Sequence, residues 1–142
     1  MSLILKQKVL FVCEHNSARS QMAEAFLQSL APERYEAHSA GITPGKLNPL
    51  VVEAMKEAGI DISMKTTKGV EDLLATGERF EVIITVCDPA ASSCPVFPGS
   101  KMVHWEVEDP SMLTGTEKEK LVKIRRIRDE IRGKIDEWIT LF

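Results

Sequence analysis

Val9-Leu10-Phe11-Val12-Cys13-Glu14-His15-Asn16-Ser17-Ala18-Arg19-Ser20 carries an apolar run into a short polar loop that opens on a cysteine and closes on an arginine. Lys8 to Val12 is too short for a helix and reads as a buried strand. From Ser20 onward Met22, Ala23, Phe26, Leu27 and Leu30 fall on one face at helical spacing, with Pro32 just beyond the end. The stretch therefore predicts strand, polar loop, helix, with the cysteine at the handover.

The same alternation continues along the chain. Tyr35 to Ala40 is a partly polar strand candidate ending at Gly41. Asn48-Pro49 supplies a cap and a first-turn proline for a helix carrying Val51, Val52, Met55 and Ala58, and Gly59 stops it. Val70 to Ala75 reads as a short helix. Val82-Ile83-Ile84-Thr85-Val86 is the clearest strand, β-branched throughout and ended by Cys87-Asp88-Pro89. Lys101 to Trp105 is a modest strand, and Glu106 to Gly115 reads as a loop containing Asp109-Pro110. Thr116 then caps a long helix with an apolar stripe of Leu121, Ile124, Ile127, Ile131, Ile135, Trp138 and Ile139.

Strands alternating with helices predict an α/β fold of three layers, α/β/α, because parallel strands need crossovers and helices usually supply them. The expected sheet has four parallel strands, and in the order 2-1-3-4 the first and third are neighbours. Ligands in such sheets bind beyond the carboxyl ends of the strands, where the order reverses. Cys13 and Cys87 both fall at such ends. Adjacent strands lie about 4.8 Å apart, which would put the two thiols within disulfide reach.

Five residues separate Cys13 from Arg19. A loop of that length entering a helix can aim its N–H groups at a tetrahedral oxyanion, and the helix N-terminus adds partial positive charge. Glu14, His15, Asn16, Ser17, Ala18, Arg19 and Ser20 are the candidate anion-binding residues. Arg19 offers a planar fork for two oxygens, which a lysine does not. The same donors favour a thiolate at Cys13, Ser20 can donate to its sulfur, and Asn16 can brace the loop. The imidazole of His15 reads as a solvated loop group, and His38 and His104 as structural.

The totals fit this reading. A chain of 142 residues suits one domain, read as residues 4–142, with 1–3 set aside as either a cloning remnant or a disordered start. Lys+Arg 18 against Asp+Glu 21 gives a net charge of −3, so there is no broad basic field of the kind that recruits nucleic acid. There is no membrane-spanning apolar run and no secretory signal. Three cysteines, an odd number, then suggest a reducing cytoplasmic setting with thiols kept for chemistry. A zinc-binding or regulatory module would draw on these cysteines and a histidine, but the chain has no Cys-x-x-Cys pair.

The loop resembles the phosphate-binding loop of the low-molecular-weight tyrosine phosphatases and, more closely, that of the arsenate reductases sharing their fold. The closer likeness runs through Ser39-Ala40-Gly41-Ile42, Asn48-Pro49 and Gly59-Ile60-Asp61-Ile62-Ser63. It continues through Thr85-Val86-Cys87-Asp88 with Cys94-Pro95, His104-Trp105 and Asp109-Pro110. The resemblance implies a phosphatase-I-like fold and a thioredoxin-coupled arsenate reductase. In that reading Cys13 attacks arsenate held by Arg19 and the loop, and Asp109 acts as general acid. Cys87 then attacks Cys13, Cys94 attacks Cys87, and thioredoxin reduces the final disulfide. Phosphate and sulfate would compete as oxyanions. Some members also bind potassium beneath the loop, where Asn16, Glu24 and Ser39 match. The chain departs from the commonest reductase loop at Glu14, His15 and Ala18, where Thr, Gly and Cys are often found. The alternative is a tyrosine phosphatase working through a phosphocysteine at Cys13, which would have no use for Cys87 or Cys94. Those phosphatases follow Asp-Pro with aromatics, whereas Ser111-Met112-Leu113 follows here.

Asp88 and Pro89 suit the start of a short helix across residues 89–94, and Pro95 would stop it. Seven residues of helix rise about 10.5 Å, whereas a disulfide needs Cα atoms about 4.4 to 6.8 Å apart. A Cys87–Cys94 disulfide therefore requires that helix to unwind. Hydrogen exchange and protease cleavage around residues 88–95 should rise on oxidation, and equal values in both redox states would refute the unwinding.

Overall fold

The computed structural model describes residues 5–86 and 99–141. Its elements are β1 (Gln7–Cys13), α1 (Arg19–Leu30), β2 (Tyr35–Gly41), α2 (Pro49–Glu57), α3 (Val70–Ala75), β3 (Val82–Thr85), β4 (Lys101–His104) and α4 (Glu117–Leu141). The four strands form one parallel sheet in the order β2-β1-β3-β4. The chain steps from β1 outward to β2, then returns past β1 to β3 and β4. The order reverses beside β1, and Cys13 is its last residue.

Both faces of β1 are covered, which accounts for its uninterrupted apolar run. Val9 and Phe11 join the larger core with Met22, Phe26 and Leu27 of α1, Val51 and Met55 of α2, and the stripe of α4. Leu10 and Val12 face a smaller cluster with Ala40, Val70, Phe80 and Ile83. The layers are unequal: α1, α2 and α4 pack on one side, and α3 alone covers the other among the described residues.

Local chemistry sets the element ends. Asn48 Oδ1 accepts from Leu50 N (3.0 Å) at the start of α2, and Gly59 (φ 86°) leaves it in the left-handed region. Thr116 and Glu119 form a reciprocal cap for α4: Thr116 Oγ1 accepts from Glu119 N (3.1 Å), and Glu119 Oε1 accepts from the Thr116 hydroxyl (3.0 Å). Arg125 grips Glu57 with two N–H groups at 2.9 and 2.8 Å, and Arg128 donates to the Ala54 carbonyl (2.8 Å), tying α4 to α2. The segment after β4 is not wholly irregular, because Asp109 and Pro110 wind Pro110–Met112 into one 3-10 turn. None of the described helices is long and apolar enough to cross a membrane.

Gly41 ends β2 opposite Cys13. A Cβ there would lie 2.7 Å from both Asn16 N and the His15 carbonyl carbon, against backbone that cannot swing aside. Gly41→Ala should therefore lower stability by about 1–3 kcal/mol in chemical denaturation. An unchanged unfolding midpoint would show that the loop can retreat from β2.

Candidate active site

The loop from Cys13 to Ala18 is oriented through its carbonyls. Those of Cys13, Glu14, His15 and Ser17 accept from Ile42 N (3.1 Å), Thr43 N (2.7 Å), Gly45 N (2.9 Å) and Asn48 N (3.0 Å). In a trans peptide the next N–H points the opposite way. The N–H groups of Glu14, His15, Asn16 and Ala18 are thus turned away from segment 42–48, toward the concave side of the loop. Asn16 shows the result directly, since its N–H donates to Cys13 Sγ at 3.2 Å.

Asn16 is the pivot of the turn. It adopts φ 55°, a left-handed conformation that asparagine tolerates better than most residues. Its buried amide makes three hydrogen bonds: Nδ2 donates to Ser20 Oγ (2.8 Å), while Oδ1 accepts from Gln21 Nε2 (3.0 Å) and Lys68 N (2.9 Å). Ser20 Oγ, braced in this way, lies 2.9 Å from Cys13 Sγ. Asn16 Nδ2 donates to this oxygen, so the serine proton is available to the sulfur. The first helical residues, Arg19 and Ser20, follow Ala18, which offers no side-chain cap. The start of α1 therefore faces Cys13 with N–H groups that no side chain has claimed.

Arg19 and Asp109 close the site. The Arg19 guanidinium, on a residue only 3% exposed, donates from Nη1 to the Val107 carbonyl (3.0 Å) and places Nη2 3.5 Å from Asp109 Oδ2. The other carboxylate oxygen of Asp109 accepts from both N and Oγ of Ser111, at 2.9 and 2.8 Å. That Asx-type turn orients Asp109 from behind while its free oxygen meets Arg19. Glu14 and His15 stand at the rim. His15 Nδ1 is 2.8 Å from the Thr43 carbonyl, and Nε2 is 3.9 Å from Glu14 Oε2.

Several contributors carry no motif. Gln21, Lys68 and Val107 act on the loop through one amide and two backbone groups, and periodicity marks Gln21 only as a helix residue. The other two histidines lie outside the loop. His104 Nδ1 pairs with Thr85 Oγ1 (2.7 Å) across β3 and β4. His38 Nε2 lies 2.9 Å from Glu36, toward the opposite end of the sheet. That hydrogen bond, with the Lys8 ammonium nearby, holds the Glu36 carboxyl below its usual range. Cys87, Cys94 and the helix expected across 89–94 lie outside the described residues. The last described residue before Cys87 is Val86, whose N–H donates to the Val12 carbonyl (2.7 Å), one residue from Cys13.

Beneath the loop the chain already places a cation of its own at Glu24, although Glu24 Oε2 and Gln21 Oε1 are buried and accept no hydrogen bond. Asn16 Oδ1 already accepts two N–H groups. Ser39 Oγ donates to Glu24 Oε1 (3.2 Å), and the Lys65 ammonium lies 3.3 Å from Glu24 Oε2, so the carboxylate has its counter-charge from the chain itself.

The arrangement is a thiol facing inward-turned loop amides at the start of a helix whose first residue, Arg19, pairs with the Asp109 carboxylate. Residues 8–141 match the low molecular weight phosphotyrosine protein phosphatase family. The arsenate reductase of Bacillus licheniformis is 42% identical over 135 residues, covering 94% of this chain and 95% of that protein. A solved arsenate reductase in its phosphate-binding state superposes with a TM-score of 0.78 at 29% identity, covering 94% of this chain and 97% of the other. The thioredoxin-dependent arsenate reductase of Corynebacterium glutamicum gives 0.63 at 31% identity, covering 92% of this chain and 62% of that one. With its sheet order, its loop and these likenesses together, the chain belongs to the low molecular weight phosphotyrosine protein phosphatase family, on the branch whose curated relatives are arsenate reductases.

Proposed function

We propose that this protein reduces arsenate to arsenite through Cys13, with Cys87 and Cys94 as successive thiols and thioredoxin as the final electron donor. The observation that carries the reading is the environment of the Cys13 sulfur. It receives one amide N–H, faces a braced serine hydroxyl, and lies at the end of the loop that enters the helix whose first residue, Arg19, pairs with Asp109. Relatives named arsenate reductase, and one described as thioredoxin-dependent, support the choice of substrate and donor.

Arsenate enters with its oxygens against the loop N–H groups and the Arg19 fork, drawing the guanidinium toward the anion. The Cys13 thiolate attacks arsenic, an As–O bond breaks, and Asp109 gives its proton to the leaving oxygen, which departs as water. The Cys87 thiolate then attacks Cys13 Sγ. An S–S bond forms, the S–As bond breaks, and its electron pair stays on arsenic, which leaves as arsenite. Attack of Cys94 on Cys87 frees the Cys13 thiolate, and the dithiol of thioredoxin returns two electrons to the Cys87–Cys94 disulfide.

Phosphate is nearly isosteric with arsenate, so the same cradle supports a phosphatase reading that needs Cys13, Arg19 and Asp109 but neither later cysteine. The absence of aromatics after Asp109-Pro110 removes the groups that would flank a phosphotyrosine ring.

Two measurements test the site and the relay. Ser20→Ala removes a hydrogen bond to a charged sulfur, worth about 1.5–3 kcal/mol. Iodoacetamide should therefore alkylate Cys13 about ten-fold more slowly at neutral pH, and an unchanged rate would detach Ser20 from thiolate stabilisation. With arsenate, thioredoxin, thioredoxin reductase and NADPH, Cys13→Ser and Cys87→Ser should release no arsenite. Cys94→Ser should stop after about one equivalent per chain. Wild-type turnover by both Cys87→Ser and Cys94→Ser would end the relay, and phosphate-ester hydrolysis surviving in both would favour the phosphatase.

A further inference from the structure

Glu24 sits on α1 one turn beyond Ser20, and it is 5% exposed. A carboxylate removed from water to that degree needs a counter-charge or it takes up a proton. Ser39 supplies one hydrogen bond to Oε1, whereas the buried Oε2 accepts none, and the only cation placed against it among the described residues is the Lys65 ammonium, an ion pair at 3.3 Å. Lys65 belongs to the strap of residues 62–68, and this strap bears on the loop at two further points. Lys68 N donates to Asn16 Oδ1, the amide that braces Ser20, and the Thr66 carbonyl accepts from Gln21 Nε2 at 3.1 Å. The Lys65–Glu24 pair is thus the charged member of three ties that press the strap against α1 and the pivot of the oxyanion loop.

We infer that the Lys65 ammonium is a built-in counter-cation beneath the oxyanion loop, filling the place that a dissociable alkali-metal ion would otherwise take at Glu24 and Ser39. An ammonium and a potassium ion carry the same charge and are nearly equal in size. The ammonium differs in being tethered, so its local concentration is fixed by the fold rather than by the medium. Half of the Lys65 side chain is exposed, and it reaches the buried carboxylate with only its head. Its removal leaves a polar vacancy open to solvent cations. Lys65 is a positioning residue: it acts on Cys13 through Glu24 and the strap.

The test compares melting temperatures in potassium chloride and in tetramethylammonium chloride at equal ionic strength, the latter cation being too large for the vacancy. Wild type and Lys65→Arg should melt alike in the two salts. Lys65→Gln should melt lower in tetramethylammonium and recover by about 3 °C, saturably, in potassium. Its Cys13 alkylation rate should follow the same potassium dependence, which loss of surface packing would not produce. Adding Glu24→Gln to Lys65→Gln should abolish the potassium response. A saturable, potassium-specific rise in the wild-type melting temperature would overturn the inference without recourse to any variant, and so would a Lys65→Gln protein indifferent to potassium. Stability is the readout, so the outcome is separate from whether the protein turns over arsenate.

Discussion

The carbonyls of Cys13, Glu14, His15 and Ser17 are held by N–H groups of residues 42–48, and the chemistry of the loop depends on this set of backbone bonds. Peptide units are rigid, so fixing one side of each unit fixes the other. The amides that face the sulfur need no side chain to aim them. They are also held by bonds within the chain, which lessens the reorganisation that water or flexible side chains would require. The cost falls on β2, which must approach the loop so closely that only a glycine fits at position 41.

Two kinds of support meet at the sulfur. The sheet fixes Cys13 through Val9–Cys13, buried on both faces. The opposite wall comes from the segment after β4, where the Asx-type turn at Asp109 and the Val107 carbonyl hold Arg19. Arg19 therefore links a rigid helix start to a loop of separate origin. With Nη2 at 3.5 Å from Asp109 and Nη1 on a neutral carbonyl, its contacts leave other N–H groups of the guanidinium for an incoming oxyanion.

Much of this was legible in the order of residues. The strand–loop–helix reading of 8–30 and the parallel sheet followed from apolar run lengths, caps and the need for crossovers, and α4 followed from its stripe, whereas the strand order came with the family resemblance. The unequal layers did not follow, because a six-residue helix such as Val70–Ala75 shows little periodicity, and its burial rests on Val70 alone. Within the site, cysteine, arginine and serine announce themselves by spacing. The contributions of Gln21, Thr66, Lys68 and Val107 pass through an amide and backbone atoms whose positions arise only when segments far apart in sequence pack together. Lys65 was invisible for the same reason, since a lysine in a polar stretch gives no sign that its ammonium ends beside a buried carboxylate 41 positions earlier.

A pocket built from main-chain amides also sets which positions are open to substitution. Any residue except proline brings an N–H to positions 14 and 15, and the side chains there project to the rim. Glu14 and His15 can therefore differ from a family's usual choices without altering the cradle, whereas Asn16, with its left-handed backbone and triply hydrogen-bonded amide, cannot. Mutational freedom is divided residue by residue within one short loop. The outer positions are free to adjust how the entrance attracts or repels anions, while the inner ones hold the thiol chemistry constant.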